Sequence, residues 1–168
     1  KKMFELGGNA VDAAAAISFS ISVERPQSTG IGGGGFMLIK TPEMKEPLAI
    51  DFREKAPEQA HSKMYLNKQG KVIKNKSLNG IFAVGTPGLV AGVIAAHQKF
   101  GKLPLSVVIA PAISLASKGF KVYPELDKAL KAKDKVLRKF PSTKKIFFKG
   151  NKVLKLGDLL VQKDLSKT

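Results

Sequence analysis

The stretch Pro26–Ile39, PQSTGIGGGGFMLI, places five glycines among the six residues Gly30–Gly35 and runs directly into an apolar segment. Its spacing contains G-x-G-x-x-G, at Gly30, Gly32 and Gly35. A dinucleotide fingerprint needs a strand, then the glycine loop, then a helix whose N-terminal N–H groups hold the pyrophosphate. Here the order is reversed: a helical pattern leads in and a strand-like run leads out. A Walker loop needs Gly-Lys-Ser/Thr, yet Gly35 is followed by Phe36. The phosphate-loop reading fails on element order, and no cofactor is expected. What remains for these glycines is backbone permissiveness: turns with φ > 0 and close approach by another chain segment, both of which need a missing Cβ.

Upstream, Gly7-Gly8-Asn9 precedes AVDAAAAISFSISV. Asn9 is a good N-cap, Asp12 sits where a carboxylate favours the helix dipole, and the alanines propagate well. The pattern predicts a helix from Ala10 to Val23, apolar nearly all round and therefore buried. Downstream, Phe36–Lys40 and Pro47–Arg53 are short strand-like runs separated by TPEMKE, an expected antiparallel hairpin near the centre of a sheet. Residues 54–80 read as polar, basic surface with a turn at Gly70.

Pro87 and Gly101 bracket a second helix, with the proline at its start. PLSVVIAPAISLASKGF (Pro104–Phe120) is another apolar helix, kinked or interrupted at Pro111 and closed by Gly119. Pro124 opens a third that ends before Pro141, its apolar stripe Leu126, Leu130, Val136, Leu137 and Phe140 facing away from a row of lysines. A small hairpin is expected around Gly150-Asn151, and Asp158 is placed to cap a final helix. No repeat and no long linker divides the chain, so residues 1–168 read as a single domain of α+β type with antiparallel strands. It looks incomplete at both ends, because KKMFELGGNAVDAA reads as the middle of a domain and not as a leader.

A length of 168 residues suffices for one domain with a real core. Zero cysteines excludes disulfides, thiol catalysis and Cys-based zinc sites. No apolar run approaches the ~18 residues that span a bilayer, so no membrane span is expected. The formal net charge is +16, but residues 1–60 carry seven Lys/Arg against eight Asp/Glu, while residues 61–168 carry 22 against five. Of the basic residues 26 are Lys and three are Arg. Readers of nucleic acid favour Arg with interleaved aromatics, so a solvated lysine-rich surface is the expectation and nucleic-acid binding the alternative.

His61 and His97 are the only histidines, and neither has a partner at metal-ligand spacing, so no metal site is expected. No G-x-S-x-G elbow is present. Arg53, in AIDFREKAP, ends an apolar strand and is flanked by Asp51 and Glu54. Alternation puts it on the face of Asp51 and Ala49, opposite Phe52 and Ile50. Two readings stand: an ordinary ion pair with one of these acids, or a guanidinium fork that grips a substrate carboxylate.

Six stretches in register then change the reading. GGNAVDAAAA (Gly7–Ala16), GIGGGGFMLI (Gly30–Ile39), IDFREKAP (Ile50–Pro57), GTPGLVAGV (Gly85–Val93), APAISLASKGF (Ala110–Phe120) and GDLLVQKDLSKT (Gly157–Thr168) occur in the order seen in gamma-glutamyltransferases. The chain resembles the N-terminal part of that family's large subunit. The resemblance implies a partial N-terminal-nucleophile hydrolase, a four-layer αββα sandwich with antiparallel core strands. It implies a precursor that cleaves itself before a threonine, whose freed α-amine and hydroxyl act as base and nucleophile. The donor would be glutathione or another γ-glutamyl amide, and the acceptor water, an amino acid or a dipeptide. The partner would be the small catalytic subunit from the same precursor, and the location periplasmic or secreted. The arginine of the family's REKAP-like motif binds the donor's α-carboxylate, and this maps onto Arg53. No catalytic residue is expected in this chain: Thr168 resembles a position well upstream of the processing site, and Thr29 and Thr86 have no free amine. The expectation is scaffold plus one substrate-binding residue, inactive alone. The competing class is a homologue that kept the fold and lost catalysis, serving as a binding or structural protein.

Overall fold

The computed structural model describes residues 1–168. In chain order the elements are α1 (Lys2–Glu5), α2 (Ala10–Glu24), β1 (Phe36–Ile39), β2 (Leu48–Asp51), a 3-10 turn (Ile81–Ala83), α3 (Leu89–Phe100), α4 (Leu105–Lys118), β3 (Phe120–Lys121), α5 (Pro124–Leu137), α6 (Pro141–Phe147), β4 (Phe148–Lys149), β5 (Lys152–Val153), β6 (Leu159–Leu160) and α7 (Lys163–Lys167). The architecture is mixed helix and sheet, and all three strand pairs, β1–β2, β3–β6 and β4–β5, are antiparallel. The chain divides into two compact units, one of residues 1–31 and 93–168 and one of residues 32–92.

In the first unit α2 starts as its sequence dictates. The Asn9 side chain accepts the N–H groups of Val11 and Asp12, and the Asp12 carboxylate accepts the Asn9 N–H at 2.7 Å, a complete capping box. The helix packs on α4, and α4 on α7. Val23, Ala112 and Ala116 form the buried seam there, with Phe19, Leu115 and Leu165 against it. The small alanines let helix backbones approach closely. Gln162, buried, ties the layer together: its side-chain amide donates to the Val23 carbonyl at 2.8 Å, and its N–H donates to Ala116. Contrary to the expectation of a wholly buried helix, α2 leaves Ile17 and Ile21 exposed.

Pro111 does not interrupt α4, which runs through it and ends at Gly119, with φ of 80°. The second core of this unit holds Val122, Leu126, Leu130, Leu154 and Leu160, so α5 buries the leucine stripe its spacing predicts. Two expectations are corrected. Pro141 does not merely follow a helix but opens another, α6, from position N1. Asp158 caps no helix; its carboxylate accepts the Lys155 N–H at 2.8 Å and closes the turn before β6.

The second unit is built on the β1–β2 hairpin, with Phe36 opposite Asp51 and Ile39 opposite Leu48. The pair stands as a two-stranded sheet and not at the centre of a larger one. Ile39 is buried, while Phe36 and Leu38 on the other face are 65% and 72% exposed. Residues 54–80 are the expected surface loop, with a Leu66–Val72 bridge and Gly70 at φ of 76°.

Candidate functional site

Arg53 follows β2 by two residues, and its main chain is pinned on both sides. Phe52 exchanges backbone hydrogen bonds with Gly35, at 3.0 and 3.3 Å. Lys55 does the same with Thr86, at 2.8 and 3.2 Å. The Arg53 N–H itself donates to the Asp51 carboxylate at 2.9 Å, a local turn that uses the acid for the backbone. The guanidinium enters no ion pair with the acids that flank it in sequence. Of the two readings open at the sequence level, the ion pair with Asp51 or Glu54 is absent. Arg53 is exposed, with its planar fork of donors unspent on neighbouring acids.

Glycines make this placement possible. A Cβ on Gly34 would lie 2.5 Å from the Phe52 carbonyl oxygen and 2.7 Å from the Glu54 nitrogen. A Cβ on Gly88 would collide with that same carbonyl, and one on Gly92 with the Phe52 ring. Three glycines from two separated stretches therefore clasp Phe52–Glu54, the segment that carries Arg53. The first half of the glycine run behaves differently, since a Cβ on Gly30 or Gly32 would meet nothing within 4 Å. The expectation of φ > 0 in this run is not met; the positive-φ glycines lie elsewhere, at Gly7, Gly70, Gly80, Gly119, Gly150 and Gly157. Close approach is the reason that survives, at Gly34 and Gly35.

The loop does meet a helix N-terminus, though not as a phosphate cradle. The Gly33 carbonyl accepts the N–H groups of both Gly88 and Leu89, at 3.1 and 2.9 Å, and so satisfies donors at the start of α3. Pro87 accordingly lies two residues before the helix begins, not in its first turn as the sequence suggests.

Sequence reasoning missed one buried polar cluster. Asp12 is 0% and His97 6% exposed, and His97 Nε2 lies 3.1 Å from Asp12 Oδ1. The carboxylate also accepts the N–H groups of Lys102 and Leu103 at 3.1 Å, besides that of Asn9. Asn9 in turn donates from its side chain to the Phe100 carbonyl at 2.6 Å. One carboxylate thus joins the start of α2 to the chain leaving α3. Burial pushes the Asp12 pKa up, but the N–H groups of Asn9, Leu103 and Lys102 and the nearby His97 outweigh it and hold it below the ordinary carboxylate value. Gly8 and Gly101 leave room for the pair: a Cβ on the first would lie 2.9 Å from Asp12 Oδ2, and on the second 2.8 Å from His97 Nε2. With Nε2–H donating to Asp12, Nδ1 is a bare acceptor, and it meets no donor. The cluster is built to hold backbone and has no access for a substrate.

His61 is exposed and stands apart from this network. Thr29 donates its N–H to Arg25, Thr86 bridges to Lys55, and the Thr168 hydroxyl donates to the Asp164 carbonyl at the end of α7. None of the three threonines lies beside a base.

A gamma-glutamyltranspeptidase family model matches residues 1–168. The glutathione hydrolase proenzyme of Escherichia coli is 46% identical over 163 residues, which cover 96% of this chain and 28% of that protein. Among solved structures, the gamma-glutamyltranspeptidase of Helicobacter pylori superposes with a TM-score of 0.93 at 46% identity, over 99% of this chain and 48% of that one. The enzyme from Pseudomonas nitroreducens, complexed with L-DON, does so at 0.87 and 41%, again over 99% and 48%. The chain therefore spans under a third of the E. coli relative and about half of either crystallised chain. On a match that runs from its first residue to its last, this chain belongs to the gamma-glutamyltranspeptidase family.

Proposed function

We propose that the complete protein transfers or hydrolyses the γ-glutamyl group of glutathione and related γ-glutamyl amides, and that Arg53 grips the donor's α-carboxylate. The observation that carries this reading is the guanidinium of Arg53, not paired with Asp51 or Glu54, on a main chain held rigid by Gly34, Gly88 and Gly92. A bidentate guanidinium–carboxylate contact fixes one end of the donor, so that its γ-carbonyl is held over the nucleophile. The nucleophile in this reading is a threonine downstream of residue 168, freed by self-cleavage of a precursor. Its hydroxyl oxygen attacks the γ-carbonyl carbon, and its α-amine takes the hydroxyl proton and passes it to the leaving amine as the C–N bond breaks. Water or an amino acid or dipeptide then accepts the γ-glutamyl group. A four-layer αββα sandwich that includes the small subunit goes with this reading, as does a periplasmic or secreted location.

Two measurements test it. In the complete protein, Arg53→Gln removes charge-assisted hydrogen bonds and is expected to raise KM for a γ-glutamyl anilide by roughly 30- to 150-fold, about 2–3 kcal/mol, with kcat changed far less. An unchanged KM would return Arg53 to a solvated surface charge. The isolated 1–168 chain is expected to release no aniline above the buffer rate, and clear turnover by it would overturn the assignment of the nucleophile.

A further inference from the structure

The positive charge is concentrated in one segment. Residues 128–157 hold eleven Lys/Arg and one acid, Asp134, a balance of +10 out of the chain's +16. A uniformly basic composition would not leave the other 138 residues with only +6. On α5, Lys128, Lys131 and Lys135 fall at helical spacing opposite the buried Leu126–Leu130 stripe, Lys139 follows just past the helix end, and all four are exposed. Only Lys131 among them is neutralised, by Asp127. On the β4–β5 hairpin Lys149 stands directly opposite Lys152, both exposed, and like charges directly opposite destabilise a strand pair. Beside that turn, Lys144 Nζ donates to the Asn151 side-chain oxygen at 3.1 Å and Arg138 Nη1, whose charge is paired with Asp134, lies 3.4 Å from the same oxygen. An external anion would offset these like-charge contacts.

We propose that this face, the outer side of α5 with the β4–β5 hairpin, adsorbs to a membrane surface rich in anionic lipid. Three features favour headgroups over nucleic acid. Ten of the eleven cations are lysines, point charges that match a diffuse field better than base edges. The one arginine, Arg138, is committed to Asp134 and to the Phe148 ring. The segment's three aromatics, Phe140, Phe147 and Phe148, are at least half-buried, so no stacking platform is offered. Next to Lys155, moreover, Leu156 and Leu159 flank the Gly157 turn at 56% and 57% exposure. Basic side chains with exposed aliphatics suit the boundary between headgroups and acyl chains. No helix of the chain is long and apolar enough to cross a membrane.

The test is co-sedimentation of the complete protein with phosphatidylglycerol-containing vesicles and with neutral phosphatidylcholine vesicles. Binding to the anionic vesicles alone is expected at about 0.1 M NaCl and its loss at about 0.5 M, as screening shortens the field. Reversing Lys135, Lys139, Lys149 and Lys152 to Glu should weaken binding more than tenfold while leaving γ-glutamyl anilide hydrolysis intact. The same charge change made at the exposed Lys63, Lys68, Lys71 and Lys74 should weaken it far less. A set of four glutamines at the patch gives the same ranking should the glutamate variant fold poorly. No binding to anionic vesicles at low salt, or equal loss from both lysine sets, overturns the proposal. Binding to duplex DNA or to heparin without binding to vesicles also overturns it, in favour of another polyanion.

Discussion

Replacing Asp12 by alanine is expected to lower the unfolding free energy by about 3–5 kcal/mol, the cost of leaving several buried donors without their charged acceptor. The carboxylate accepts from Asn9, Lys102, Leu103 and His97, and alanine accepts from none. Three backbone donors and one imidazole would be left in a site closed to water, and the capping box of α2 would lose its second half. Urea unfolding of the complete protein and its variant at neutral pH measures the difference. A loss under about 1 kcal/mol would mean that water replaces the carboxylate. Asn is the informative second substitution: it keeps the shape but turns an amide N–H₂ toward an N–H donor, for an intermediate loss of about 2 kcal/mol. The pH dependence has a definite sign. The folded pKa of Asp12 lies below its unfolded value, so its contribution is complete above the ordinary aspartate range and disappears as pH falls through the folded value. The gap between the wild-type protein and Asp12→Asn should narrow on acidification below about pH 4.

Gly88→Val is expected to cost about 3 kcal/mol and to weaken donor binding together with stability. The added Cβ would fall on the Phe52 carbonyl, a backbone atom that cannot rotate away as a side chain can. Overpacking of this kind costs about 1–3 kcal/mol, and β-branching adds to the upper end. The relief available is a shift of Phe52 and therefore of Arg53, so KM should rise even in the fraction that folds. A γ-glutamyl anilide titration alongside a thermal melt separates the two effects. A variant with a normal KM and a lowered melting temperature would show that Arg53 does not depend on this clasp. The same substitution at Gly30 is the control, because a Cβ there meets nothing within 4 Å.

What could be read from the sequence was local. Asn9 and Asp12 are three residues apart and define the start of α2 by themselves; the apolar runs at 36–39 and 48–51 define the hairpin. Pro124 and the leucines four residues apart define α5. The Asp12–His97 contact joins residues 85 apart, and no periodicity carries such information. For α6 the sequence offered Pro141 at N1 but no capping side chain, and the β-favouring Ile146-Phe147-Phe148 run masked its end. Asp158 was ambiguous in kind, because a carboxylate that accepts an N–H three residues back looks, in sequence, like one that caps a helix ahead. Arg53 stood out as a candidate from its neighbours, yet its freedom from those acids depends on Asp51 turning to the backbone. The glycines were legible as a cluster and not as a division of labour between Gly30 and Gly32 on one side and Gly34 on the other.

The bond from Gly33 to the start of α3 has a consequence for how the chain breathes. One carbonyl accepts two amides, so the glycine loop cannot leave without uncapping the helix, and the first turn of the helix cannot fray without freeing the loop. Gly88 and Gly92, on that same stretch, bear on Phe52. Opening at any of the three points is thus opening at all of them, a single cooperative unit with one local free energy. Under the role proposed for Arg53, donor affinity is then thermodynamically linked to the end of α3 that lies against Phe52 and Arg53.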